Sequence, residues 1–527
     1  VRPQRSASLL GLTGLIVAGC GGAGHAAMAT PTATDTGPLV DVPADTAYLV
    51  AFNIGSLTAL GDYASAETLT SLRDSFTRGL PPPEARSPLT RALADAVAAP
   101  LATLPARFGV DPAAPILIYG RGPWPVLRLR LDDAAPLRAL LAQAVDDHDT
   151  VVSRGAVASH AYTLFAERAH PASVRLLVAV DDHAAALAFV PAAELAGGVP
   201  DVLAPPPRDA GGRAAHLGLR DLDPRLTALP PAIAWLDLAR VTPLLAALPV
   251  PDGAAAGCRD DIGRIAAVMP RAAFEYLTVD GRQLTMRLVG ALAPAARTPL
   301  LRLRGELPAD DAASAGARAA SPPLLAARIA LDLDGARAAL GELSAALAAR
   351  PLRCEPIAGL GGWLAGITPS VDLALGHGAR GLEVQVDGFD LAASKLRGAV
   401  TLVSAQGWSL ATMLLHAIPN FSGLTLAASG QPLELPLVGL KLVGPAFLAA
   451  TDDRAVITIG EDARARAVER AGATLLPTGP LIHVDVDLRA MTAISGGDAQ
   501  LANRLGVVTL AADVDERGIT VDLVARP

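Results

Sequence analysis

Four times along this chain a proline introduces a short apolar run that gives way to a helical pattern. Pro43-Ala44-Asp45-Thr46 leads into Ala47-Tyr48-Leu49-Val50-Ala51-Phe52, and Pro230-Pro231 into Ile233-Ala234-Trp235-Leu236-Asp237-Leu238. Pro322-Pro323 precedes Ala327-Arg328-Ile329-Ala330-Leu331-Asp332-Leu333, and Pro480 precedes Leu481-Ile482-His483-Val484-Asp485-Val486. Proline cannot donate to a β-ladder, so it marks where a strand begins rather than its middle. After the third run Asp334 is placed to cap a helix whose Ala336, Leu340, Leu343 and Leu347 share one face. Recurrence of one strand–helix unit limits the chain to folds that repeat it.

Tight turns supply the remaining punctuation. Ala179-Val180-Asp181-Asp182-His183-Ala184 and Ala450-Thr451-Asp452-Asp453-Arg454-Ala455 both sit between apolar runs and read as hairpins followed by a helix. Asp280-Gly281 and Glu516-Arg517-Gly518 mark two more hairpins, and Gly381–Leu391 with Arg397–Val403 reads as another antiparallel pair. Asp132 or Asp133 is placed to cap a helix that turns Leu137, Leu140, Leu141 and Val145 inward. The fold expected is α+β: two related halves of antiparallel sheet with helices packed on one face. The first half spans residues 39–308, with a weaker boundary at 205–212 (Pro205–Pro207, Gly211-Gly212). The second spans 322–527, after the Ala/Asp/Ser-rich stretch Ala309–Pro322.

Composition bounds the partners. Apolar residues make up 51% of the chain, enough for large cores, and no run after residue 20 gives eighteen uninterrupted apolar residues. The net charge is −8, and Lys395 and Lys441 are the only lysines. An acidic chain without a basic stripe is poorly suited to nucleic acid, and it has no polybasic patch for anionic lipid.

The N-terminal residues read as an address. Arg2 and Arg5 precede an apolar stretch from Leu9 to Ala18, the length of a signal peptide's apolar region and too short to span a bilayer. Val17-Ala18-Gly19-Cys20 resembles the lipobox of bacterial lipoproteins, so residues 1–19 are expected to be removed and Cys20 to be lipidated. Gly21, rather than Asp, implies outer-membrane sorting by the same resemblance. Residues 20–38, mostly Gly, Ala, Thr and Pro, read as a flexible tether. With Cys20 acylated, Cys258 and Cys354 remain. An even pair in an oxidising compartment points to a disulfide, with two separate buried thiols as the alternative. Neither cysteine has the spacing of a zinc site.

Several segments are similar to those of a group of uncharacterised proteobacterial envelope lipoproteins. Val42-Pro43-Ala44-Asp45-Thr46-Ala47-Tyr48 resembles the start of their mature region, and Ile118–Leu129 (IYGRGPWPVLRL) their YG-x-G-x-x-P-V-x-R segment. Gly257-Cys258-Arg259, Arg353-Cys354-Glu355 and Gly423-Leu424-Thr425-Leu426 are also similar. The resemblance implies an envelope location, a shared fold and pairing of Cys258 with Cys354. It supplies no catalytic residue.

The chemistry-bearing motifs are weak. Gly407-Trp408-Ser409-Leu410-Ala411 approaches a nucleophile elbow but lacks its final glycine, and Ser409 reads more simply as the cap of a helix Leu410–Ala417. Asp146-Asp147-His148-Asp149 offers metal-type ligands without the turn glycine of a calcium loop. Gly359-Leu360-Gly361-Gly362 lacks the Lys-Ser/Thr of a phosphate loop. His25, His170, His216, His377, His416 and His483 are scattered, and His483 in its apolar strand reads as a satisfied structural residue. Asp485 with Asp487, and Asp513 with Asp515, sit at strand spacing on what reads as a solvated face. Tyr119, Trp124, Trp235, Trp363 and Trp408 are expected in cores. No catalytic residue, metal or cofactor is therefore expected. The function expected is a non-enzymatic binding or scaffold lipoprotein facing the periplasm, with membrane contact through its lipid and envelope proteins or an apolar ligand as partners. A carrier of an apolar ligand in a curved-sheet cavity, and a hydrolase whose site is assembled from distant residues, are the alternatives.

Overall fold

The computed structural model describes most of residues 42–55, 103–203, 230–308, 323–354 and 378–527. The expected signal, Cys20 and the tether lie outside the described residues, as do Pro205–Pro207, Gly211-Gly212 and Ala309–Pro322. Contacts divide the chain into two units, Val1–Pro249 with Pro270–Val289, and Val250–Met269 with Gly290–Pro527.

The first unit holds β1 (Tyr48–Phe52), α1 (Leu104–Phe108), β2 (Ile116–Gly120), β3 (Val126–Arg130) and α2 (Ala135–Val145). It continues through β4 (Thr150–Val157), β5 (His160–Glu167), β6 (Val174–Val180), β7 (Ala184–Pro191), β8 (Ala232–Asp237) and α3 (Leu238–Ala247). It ends with β9 (Arg271–Val279) and β10 (Leu284–Ala291), most of which falls in this unit. The strands pair antiparallel in the order β4-β5-β6-β7-β3-β2-β1-β8-β9-β10. The first proline-led strand, β1, lies between β2 and β8 and is buried along its whole length. That is why it reads as a continuous apolar run instead of an alternating one. Gly120 at the end of β2 sits beneath the Tyr48 ring, where a Cβ would collide with the phenol.

The second unit holds α4 (Ala254–Val268), α5 (Pro294–Leu301), β11 (Leu307–Pro308), β12 (Leu325–Ile329), β13 (Ala379–Asp390), β14 (Lys395–Ser404) and α6 (Gly407–Ala417). After these come β15 (Leu433–Glu434), β16 (Ala446–Thr451), β17 (Arg454–Ile459), α7 (Ala463–Gly472), β18 (Leu475–Leu476) and β19 (Ile482–Asp487). The last elements are α8 (Leu488–Ser495), α9 (Ala499–Leu505), β20 (Val507–Val514) and β21 (Gly518–Arg526). The antiparallel order is β15-β16-β17-β14-β13-β12-β19-β20-β21, with β11 and β18 paired apart.

The expected hairpins form. Asp181 N donates to Ala184 O across the β6–β7 turn, and β16 and β17 flank Asp452-Asp453. Asp280 Oδ1 accepts from the backbone N–H groups of Arg282 and Gln283 in the β9–β10 turn. Asp515 Oδ1 does the same for Arg517 and Gly518 between β20 and β21. Of the two candidate caps before α2, Asp133 accepts from Ala135 N at 2.9 Å.

The expected cap Asp334 lies outside the described residues; near it, Asp332 Oδ1 faces Gly335 N at 3.5 Å. Two expectations change. The helix at Gly407 begins before Ser409, so Ser409 is not its cap. Helices do not keep to one sheet face in the second unit. α6 packs Ala411 and Leu415 on Ala446, Leu448, Ala450 and Ala455, whereas α7 packs Ala467 and Ala471 on Ala449 and Val456. Those strand residues alternate, so the two helices lie on opposite faces of β16–β17.

Candidate functional site

The densest polar constellation among the described residues lies on the α7 face of the second unit. Register places it. His483 on β19 pairs with Arg328 on β12, Arg328 with Glu383 on β13, Glu383 with Thr401 on β14, and Thr401 with Val456 on β17. Directly paired residues point to the same side, so these five form one row across the sheet. α7 lies over part of that row because Ala463, Ala467 and Ala471, one turn apart, offer no bulk to hold it off. Close approach lets Arg466 and Arg470 lie along the sheet instead of in solvent.

Glu383 is the centre. Its Oε2 accepts from Arg470 Nη1 at 2.7 Å and its Oε1 from Arg328 Nη2 at 3.2 Å. Arg470 also donates to Gln385 Oε1 and, at 3.4 Å, to Thr401 Oγ1. Gln385 donates in turn to Asp387, which Arg466 reaches at 2.8 Å. Arg397 extends the chain outward to Asp462 at 3.2 Å. Burial pushes the Arg466 guanidinium down; Asp387 opposes this, while Arg397 and Arg470 reinforce it. Arg454 donates to the carbonyls of Arg470 and Ala473 at the C-terminus of α7, satisfying acceptors that a helix end leaves open. Its other donors grip Asp453, and that guanidinium holds the Asp453 carboxyl below its usual range.

The row continues to a half-buried histidine. His483 Nε2 lies 2.9 Å from Asp485 Oδ2, and Thr509 donates its hydroxyl to Asp485 Oδ1. The His483 N–H holds the Asp485 carboxyl below the usual range; burial opposes it, and Thr509 and Arg328 add to it. Acyl-transfer chemistry needs a hydroxyl directed at the imidazole. Here the Thr509 hydroxyl is directed at the carboxylate. Glu383, buried and with a guanidinium on each oxygen, cross-links β12, β13 and α7.

The cysteines form a separate cluster in the same unit. Cys258 on α4 and Cys354 are at disulfide-bonding distance, with Cα atoms 4.3 Å apart. One turn along α4, Asp261 accepts from the backbone N–H groups of Arg353 and, at 2.9 Å, Cys354. Burial pushes the Asp261 carboxyl up, but these N–H groups and the Arg264 guanidinium outweigh it and hold the carboxyl below its usual range. Arg264 also donates to Arg350 O at 2.8 Å.

The sequence motifs are redistributed accordingly. His483 is paired, Asp485 belongs to that pair, and Asp487 accepts from Ala490 N at the start of α8. Asp513 meets Arg304 at 2.7 Å, and Asp515 shapes a turn. Tyr119 and Trp235 are core residues, and Trp408 donates to Leu426 O beside the α6 core. Burial pushes the Tyr48 phenol up. Asp146–Asp149, Gly359–Gly362, His25, His170, His216, His377, Trp124 and Trp363 lie outside the described residues. Among the described residues no group of three His, Cys, Asp or Glu is arranged to hold a metal ion, and no helix is long and apolar enough to cross a membrane.

Glu383, Arg466 and Arg470 were not singled out from sequence. The available signal was combined: Glu383, Gln385 and Asp387 alternate along β13, while Arg466 and Arg470 share a helix face with three alanines. Compared with known proteins, the chain matches no family model, no curated protein and no solved structure.

Proposed function

We propose that this chain is a lipid-anchored protein of the bacterial cell envelope, of the lipoprotein group it resembles, acting by binding or scaffolding rather than by catalysis. The observation that carries this is the sequence Val17-Ala18-Gly19-Cys20 at the end of an export-type apolar stretch, followed by a segment with the composition of a tether. The paired Cys258 and Cys354 agree with an oxidising compartment. The matched charges around Glu383 suit a structural network. The two units are read as copies of one fold. With β10 matched to β21 and β5 to β15, nine strands follow the same order in each. Asp237 and Asp487 both end a strand and accept from the N–H three residues on, in Arg240 and Ala490.

The test is metabolic labelling with an alkynyl palmitate in a bacterial host. The native sequence should take up label and sediment with membranes, and Cys20→Ser should do neither. An unlabelled native protein, or full labelling of Cys20→Ser, overturns the reading. Crosslinked pull-down with lipid extraction from the same sample then separates a protein partner from an apolar ligand.

A further inference from the structure

We propose that the exposed side of α6, with the turn that follows it, is a membrane-contacting surface that rests in the headgroup region of a phospholipid bilayer. The helix buries Leu410, Ala411 and Leu415 against β16 and β17. Its other side presents Met413 and Leu414, 40% and 42% exposed, and Ile418, the extended residue that ends the helix, is 43% exposed. Three large exposed apolar side chains within six residues form a patch, unlike singly scattered surface apolars. From Gly398 to Leu433 the chain contains no Asp, Glu, Lys or Arg, although it is 18% charged overall. The exposed neighbours are His416, Ala417, Pro419, Asn420, Ser422, Gly423 and Thr425, with no carboxylate, lysine or arginine among them. By contrast α2, which follows β3 as α6 follows β14, carries Arg138 on its exposed side, paired with Asp182 at 2.9 Å.

The occupant follows from charge and tethering. The whole sequence has net charge −8, and residues 1–19 contribute only the cations Arg2 and Arg5, so the anchored body is more acidic still and is repelled by an anionic lipid surface, least where carboxylates are missing. A neutral apolar helix face can enter the boundary between headgroups and acyl chains to a depth of roughly 5–10 Å. The inference rests on the anchored reading, because a lipid at Cys20 keeps the bilayer at high effective concentration and turns a weak apolar contact into a populated one.

The test uses the full-length chain, with and without Cys20→Ser, mixed with vesicles of phosphatidylethanolamine and phosphatidylglycerol carrying brominated acyl chains. A fluorophore is attached at Met413→Cys, at Ile418→Cys, or at Val468→Cys on α7, which is 52% exposed. Quenching of roughly twofold or more at the first two positions and none at the third is expected for the lipidated chain. Adding Leu414→Glu should abolish it. Failure of the lipidated, vesicle-bound chain to quench at Met413→Cys and Ile418→Cys overturns this proposal and leaves the anchor intact. Protection of these positions in envelope fractions without quenching in vesicles overturns it in favour of a protein partner. Selective quenching of the Cys20→Ser chain at high lipid concentration supports the surface independently of the anchor, whose own failure would show only in the palmitate labelling.

Discussion

At the scale of single residues, Arg470 and Glu383 exert the most leverage. Both are buried, and breaking a buried ion pair costs up to about 3–5 kcal/mol; loss of Arg470 leaves Glu383 with Arg328 as its remaining guanidinium partner. Arg470→Ala should lower unfolding free energy in urea, by up to that order, whereas Arg470→Met combined with Glu383→Gln should recover most of the loss, because the one guanidinium that then loses its Glu383 contact, that of Arg328, is partly exposed. The double variant being no better than the single would show that packing of the arginine stem, not charge, sets the cost. Acid sensitivity belongs to Asp261. Its carboxyl is depressed in the folded state, so its contribution is present above the unfolded carboxyl value of about 3.9 and is lost as pH falls through the lower folded value. Stability measured by thermal melting should therefore fall below about pH 4, and Asp261→Asn should be less stable at neutral pH with a flatter acid limb. His483 was legible from sequence as a satisfied structural residue; its partner Asp485 was read as solvated because alternation cannot show that a neighbouring imidazole two positions back will turn toward it.

At the scale of elements, strands and hairpins were legible and helix placement was not. Proline, Asp-Asp and Asp-Gly act locally, through backbone geometry, so their positions survive folding unchanged. Nothing local on the polar side of β13 announces a helix arriving from residues far along the chain. α7 is expected from sequence only as a helix after the Asp452-Asp453 hairpin; its alanine spacing is the one local hint of close packing. The motif around Ser409 shows the reverse error. Gly407 resembles the start of an active-site elbow, yet its role is steric: a Cβ there would strike the backbone of Arg454. Gly407→Ala should destabilise the second unit by about 1–3 kcal/mol, seen in thermal melting, because α6 must lift from β17 to admit it. Ser409→Ala, on the exposed side, should leave stability within about 0.5 kcal/mol of the parent.

At the scale of the whole molecule, a staple of long reach is available to the second unit. Cys258 and Cys354 are 96 positions apart, and closing a loop of that length restricts the unfolded chain by about 4–5 kcal/mol in the chain-entropy argument. Reduction and alkylation should add two adducts by mass spectrometry and lower the melting temperature; two adducts without reduction would refute the pairing. The two cysteines left once Cys20 is set aside made this pair legible, while the interleaving of the two units was not, since contact between distant segments leaves no mark in composition. The consequence lies in α4. Its residues belong to the second unit, yet the chain returns afterwards to finish the first with β9. A gene fragment ending near Val289 would therefore encode the first unit together with an orphan helix bearing an unmated thiol, and one starting at Gly290 would lack that helix altogether. The two units are interleaved in the reading frame, and neither can be inherited, truncated or transplanted by a single cut.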